Sequence, residues 1–218
     1  MSFNEQTIIF FNRKKLAMVK LCFLILIILS STTFANDRLK GYQALEDQDY
    51  KKALYYLSYD ASLGDDKAQY NLGIMYKKGL GVPVNNNEAF SWFFLSANQG
   101  NILANYALGH SYLKGSGIKQ NYKLALKAFK YSALREHPTS RLLIGNMYYQ
   151  GQGVVVSYSR AFLWWNLAQD LNIDGASENI SMIKKKMTKG QYSKAKEMYL
   201  MCMQDTLYNC TKKLDLFK

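Results

Sequence analysis

The feature that most constrains this chain is self-similarity at a period of 36 residues. Gly73, Gly109 and Gly145 share one column, Tyr76, Tyr112 and Tyr148 a second, Gly79, Gly115 and Gly151 a third, and Gly81, Gly117 and Gly153 a fourth. A repeat of this length is one supersecondary unit that cannot bury its apolar face alone, so neighbouring copies must stack to build a core. Two helices and two turns fill such a period. The composition agrees: 49% apolar and 20% charged residues with only two prolines suit a folded helical chain.

Further columns specify where the helices begin and how they pack. Asn85, Asn121 and Ser157 stand where a side-chain oxygen can accept from exposed amides at a helix start, and Glu88 three residues after Asn85 suggests a capping box. Ala89, Ala125 and Ala161 follow four residues later as small side chains that let two helices approach. Next come Trp92-Phe93, Ala128-Phe129 and Trp164-Trp165, suited to fill the space between helices. In the first copy this places one helix near 67–78 and the next near 86–98. The pairs Gly79-x-Gly81, Gly115-x-Gly117 and Gly151-x-Gly153 do not form a nucleotide-binding loop. No strand pattern precedes them and the third glycine is missing. Their recurrence at helix ends fits C-capping instead.

The run Ala68-x-x-x-Leu72-Gly73-x-x-Tyr76-x-x-Gly79-x-Gly81-Val82, with Ala89-x-x-Trp92-Phe93 and Ala97, resembles the Sel1-like repeat of the tetratricopeptide-like superfamily. The second copy keeps Ala104, Leu108-Gly109, Tyr112, Gly115, Gly117, Ala125 and Ala133 but has Ala128 for the tryptophan. The third keeps Ile144-Gly145, Tyr148, Gly151, Gly153, Ala161 and Trp164-Trp165, with Ser140 for the first alanine. The resemblance implies an all-α, right-handed α-solenoid of helix-turn-helix repeats. Asp49, Ala53, Ala61 and Gly64 lie one period ahead of Asn85, Ala89, Ala97 and Gly100, marking a partial repeat whose first helix covers about 37–46. After Ala168 the period breaks. Helical patterning continues over 176–187 and 189–202, and Thr188 with Gln191 brackets the second of these as a capping box. The expected division is a leader at 1–35, a capping repeat at 36–65, full repeats at 66–101, 102–137 and 138–173, and a carboxy-terminal cap and tail at 174–218.

The leader reads as a signal peptide. Arg13, Lys14, Lys15 and Lys20 precede an apolar run from Leu21 to Leu29, then Ser30-Ser31-Thr32-Thr33-Phe34-Ala35. The uncharged stretch from Leu21 to Ala35 is 15 residues, short of the roughly 20 that a spanning helix needs. Met18 offers a second translation start. Removing 1–35 takes four of the 28 basic residues and one of the 16 acidic ones, leaving a net charge of +9. That balance favours acidic partners, and no nucleic-acid motif is present. Cys22 lies at the start of the apolar run and does not fit a lipid-anchored cysteine. Cys202 and Cys210 remain, and in an oxidising compartment such a pair is expected to form a disulfide.

Catalytic chemistry finds no support. Ser111, Ser116, Ser181 and Ser193 each have a lysine three residues on, the spacing of serine acyl enzymes, but the partner motifs of those enzymes are missing. His110 lies inside a repeat helix and His137 in a turn before Pro138, neither with a nearby cysteine or paired carboxylate, so no metal site or cofactor is expected. Lys184-Lys185-Lys186 reads as a solvated helix face.

By analogy with tetratricopeptide-like solenoids, the concave face of the first helices would bind the partner through Lys67, Tyr70, Ile74 and Lys78, then Tyr106, His110 and Lys114, then Leu142, Asn146 and Tyr149. Tyrosine supplies contact area at low entropic cost and lysine steers an acidic segment. The reading is a non-enzymatic, exported adaptor for an acidic protein or peptide, periplasmic or secreted, with peripheral envelope contact. The competing reading is a binder of cell-envelope polymer or an envelope enzyme acting on wall material. If the leader is cleaved, mass spectrometry of the exported protein finds a chain beginning at Asn36. Residues 1–35 found intact in membrane fractions would contradict it.

Overall fold

The computed structural model describes residues 39–214, which divide between two compact units, 1–60 and 61–218. The signal-peptide reading and Cys22 lie outside the described residues. Every regular element among the described residues is a helix. None is long and apolar enough to cross a membrane.

In the first unit, α1 (39–46) turns directly into α2 (Tyr50–Ser62), whose last two residues belong to the second unit. Ala44, Ala53 and Leu57 are buried. Gly41 lets the two helices meet: a Cβ placed there would lie 3.0 Å from Leu57 Cδ2.

The second unit holds three helical hairpins and a cap. The hairpins are α3 (Asp66–Lys78) with α4 (Asn86–Asn98), α5 (Ile102–Lys114) with α6 (Tyr122–Ala133), and α7 (Pro138–Gln150) with α8 (Tyr158–Gln169). The cap is α9 (Ala176–Lys184), α10 (Lys189–Met203) and α11 (Leu207–Lys213). Each helix of the hairpins packs chiefly on its chain neighbours, as in a solenoid, while α10 folds back onto α8. We call α3, α5 and α7 the A helices and α4, α6 and α8 the B helices.

The A–B crossing is made by one repeated contact. A Cβ on Gly73 would lie 2.5 Å from Phe93 Cδ1, one on Gly109 2.5 Å from Phe129 Cδ1, and one on Gly145 2.5 Å from Trp165 Nε1. Real side chains do not approach so closely, so the ring of each B helix occupies the space that any larger residue on the A helix would need. Phe93, Phe129 and Trp165 are buried there. Buried serines add a polar tie: Ser96 Oγ donates to the Asp66 carbonyl at 2.6 Å and Ser132 Oγ to the Ile102 carbonyl at 2.9 Å.

A second device recurs near the start of each A helix. Gln69 Nε2 donates to the Ala61 carbonyl (3.1 Å), Asn105 Nδ2 to Ala97 (3.3 Å) and Arg141 Nε to Ala133 (3.4 Å). Each of these buried side chains is thereby satisfied by a carbonyl near the end of the preceding helix, one that also accepts from the turn amide of Gly64, Gly100 or Glu136.

The turns follow the glycine pairs. Gly79, Gly115 and Gly151 adopt left-handed backbone with φ of 74°, 72° and 72°, and donate to the carbonyls of Met75, Ser111 and Met147. Gly153 is needed for proximity as well as for its φ of 73°, since a Cβ there would sit 2.7 Å from the backbone carbon of Tyr122 in the preceding repeat.

Asn85, Asn121 and Ser157 are N-caps as read from the sequence. The capping box at Asn85 is replaced by a different arrangement. Its side chain accepts from Asn87 and Glu88, but its own N–H donates to the Tyr76 carbonyl at 2.9 Å and is not free for the Glu88 carboxylate. The box at Thr188 and Gln191 does form. Cys202 and Cys210 are disulfide-bonded with Cα atoms 5.0 Å apart, tying α11 to α10.

The ring contact predicts opposite effects for two glycine-to-alanine changes. Gly109→Ala should destabilise, because overpacking costs about 1–3 kcal/mol and exceeds the gain of about 1 kcal/mol in helix propensity. Gly190, in α10, has open space around its Cβ position, so Gly190→Ala should stabilise by up to about 1 kcal/mol. Urea unfolding of both variants reads the difference.

Candidate functional site

The A-helix face is built around the rings that cross it. Each ring lies over a glycine, so the side chains one turn before and one residue after that glycine become its walls. Tyr70 stands 5.9 Å from Phe93, ring to ring, and Ile74 packs on the same cluster. In the next repeat Tyr106 lies 6.0 Å and His110 5.4 Å from Phe129. These positions, expected from the sequence on the partner-binding face, are half-buried. One side supports the ring and the other remains on the face.

The first two full repeats give a continuous aromatic and cationic row. Tyr106 contacts His110 at 4.7 Å edge to face, and also His137 at 4.3 Å. Burial, and secondarily Tyr106, raises the pKa of Tyr70. Lys67, Lys78 and Lys114 are exposed. Burial first, then Lys77, Lys114 and His137, depress the His110 pKa to about 4, so the ring is neutral at neutral pH. Burial also lowers Lys77, helped by Lys114 and Lys78. No carboxylate appears among the groups acting on His110 or Lys77.

Two members of this row, Lys77 and His137, lie outside the ten-residue set read from the sequence. Lys77 shares its column with Leu113 and Tyr149. His137 caps α7, its Nδ1 accepting from the Ser140 amide at 3.3 Å, in the column where Asp65 and Asn101 cap α3 and α5. That column of capping residues was the available signal.

The third repeat differs. Leu142 packs on the core. Asn146 Oδ1 accepts from Trp165 Nε1 at 2.9 Å and from Asn179 Nδ2 at 3.4 Å. The Tyr149 hydroxyl accepts from Lys186 Nζ at 2.5 Å, and its ring stacks near Tyr158 and Trp165. The carboxy-terminal cap thus engages this part of the row. It also gives the lysine run specific neighbours, with Lys184 over the rings of Phe162 and Tyr192 and Lys186 over Tyr149. Among the described residues no group of three or more His, Cys, Asp or Glu side chains could hold a metal ion.

Comparison with known proteins bears on this arrangement. The Sel1 repeat family model matches residues 39–65, 66–101, 102–135 and 139–172, more than half of the chain. A Sel1 repeat protein from Oxalobacter formigenes, known as a crystal structure, is 30% identical with a TM-score of 0.62. The match covers 66% of this chain and 59% of that one, so this chain spans well under two thirds of the solved protein. A protective antigen of uropathogenic Escherichia coli displaying an SLR fold is 24% identical with a TM-score of 0.47, covering 77% of this chain and 44% of that one. A search of curated proteins found no match.

The environment of His110 sets a pH dependence. Because its folded pKa lies near 4, below its ordinary 6.5, the unfolded chain binds the proton first as pH falls. Stability is therefore full above about pH 6.5 and declines as pH falls toward 4. His137, lowered by burial, acts in the same sense. His110→Asn, which carries the side chain found at 146, should flatten the fall in Tm between pH 7 and 4.5. An unchanged slope would contradict this.

Proposed function

The chain belongs to the Sel1 repeat family, and we propose that it is an exported adaptor that holds an acidic protein or peptide segment on the A-helix face of its first two full repeats. Sel1 repeat proteins generally mediate protein–protein interaction, and their fold is typically a non-enzymatic scaffold. The single observation that carries the finer reading is the row Tyr70, Tyr106 and His110 with Lys67, Lys77, Lys78 and Lys114 around it. Half-buried rings held by the crossing contacts are already ordered, so a partner loses little entropy in meeting them. Exposed ammonium groups add steering toward an acidic surface. The leader's basic, apolar and small-residue order and the Cys202–Cys210 bond support export to an oxidising compartment.

This reading places the working part of the face in the first two full repeats. Asn146 and Tyr149 are engaged by the cap and Leu142 packs on the core, so the proposed face consists of Lys67, Tyr70, Ile74, Lys77, Lys78, Tyr106, His110 and Lys114.

Capture of partners from an envelope extract, run beside binding to purified wall material, tests the class of ligand. With the captured protein in hand, the double variant Lys78→Glu and Lys114→Glu should bind at least about tenfold more weakly and with a flatter salt dependence, at nearly unchanged Tm. Unchanged affinity in the folded double variant, with loss on altering Lys184 to Lys186, would place binding on the carboxy-terminal cap. Binding to wall material alone would contradict the adaptor reading.

A further inference from the structure

The B-helix side carries a feature that the repeat pattern does not account for. The column of Trp92 and Trp164 holds Ala128 in the second full repeat. Trp164 is wholly buried. At Ala128 the indole is missing, and a groove of about 910 Å3 opens over α4, α5 and α6 and reaches the turn after α7. Volumes of roughly 300–1,000 Å3 are those of small-molecule sites.

Its walls combine two chemistries. Phe94, Leu108, Tyr112, Leu124, Val154 and Val155 supply apolar surface, and three of them remain unusually open to solvent: Phe94 at 43%, Leu124 at 40% and Val155 at 86%. All four charged side chains lining it are cations, Lys123, Lys127, Lys130 and Arg160, and no carboxylate faces it. Burial, and then Arg160, bring the Lys130 pKa down to about 8, the response expected of an ammonium gathered with another cation at a desolvated wall. The groove is lined from Phe94 on α4 past Ala128 to Val155 and so crosses two repeat boundaries. A compact ring would fill only the part beside Ala128, whereas an extended chain would cover the length.

We propose that this groove binds a long-chain carboxylate of the fatty-acid class, its alkyl chain along the apolar wall at Ala128 and its carboxylate among Lys123, Lys127, Lys130 and Arg160. The site is separate from the A-helix residues assigned to the protein partner.

Laurate, titrated calorimetrically below its aggregation concentration into the full mature chain, tests the proposal, with dodecylammonium as the cationic comparator. Laurate should bind saturably and raise Tm, and dodecylammonium should bind at least about tenfold more weakly. Ala128→Trp installs the residue that flanking repeats carry and should weaken laurate at least about tenfold, without lowering Tm. Ala128→Leu serves as a smaller filler should the tryptophan variant fail to fold, with the same direction expected. Lys123→Glu with Lys127→Glu should weaken laurate and favour dodecylammonium, and Lys78→Glu with Lys114→Glu should leave laurate binding intact. Equal binding of both amphiphiles, undiminished laurate affinity in a folded Ala128 variant, or no saturable binding would overturn it. Capture of a protein through this groove by a chain that does not bind laurate would overturn it as well.

Discussion

An aromatic ring lying across a glycine is the contact on which the rest of this structure depends. Phe93, Phe129 and Trp165 reach over Gly73, Gly109 and Gly145 at distances that exclude any larger residue. The contact sets how close the helices of a hairpin come and thereby which side chains stand beside the ring. Hydrophobic burial by itself is non-directional. Direction here comes from shape, a knob on one helix and a bare backbone on the other. The first unit uses the same logic in milder form, with Leu57 against Gly41.

Polar groups then add a second recurring contact within the second unit. Gln69, Asn105 and Arg141 are buried and would be costly if left unbonded. Each donates to a carbonyl of the helix before it, which makes the junction specific without enlarging the apolar core. Gly153 allows a turn to rest on the backbone of the preceding repeat. The candidate binding face is a by-product of this construction. Tyr70, Tyr106 and His110 stand on it because the rings need walls, and their ordering is supplied by the fold and not by the partner.

Much of this was legible in the sequence because strict columns report backbone requirements. The left-handed turns at Gly79, Gly115 and Gly151, the N-caps at Asn85, Asn121 and Ser157, and the box at Thr188 all involve residues close in sequence, where spacing determines geometry. What escaped reading depended on contacts between distant segments. The Asn85 amide is taken by the Tyr76 carbonyl across the turn. The third copy of the face is engaged by Asn179 and Lys186, which lie beyond the periodic region. The sequence shows Ala128 in the tryptophan column, but only the assembled seam shows the groove beside it. His137 joins the face because a capping residue on one helix reaches Tyr106 on another; the capping column marks the residue but not that contact.

The two faces divide the chemistry between them, ordered rings and exposed ammonium groups on the A helices, an open apolar groove with a cationic lining on the B side. The central claim is that a partner engages the ordered rings. Hydroxyl-radical footprinting of the tyrosines, in the free chain and in complex with the captured partner, reads it side chain by side chain. The account predicts reduced modification at Tyr70 and Tyr106 in the complex, with the exposed Tyr192 and Tyr208 of the cap modified as before. Protection of Tyr192 and Tyr208 with Tyr70 and Tyr106 unchanged would contradict it.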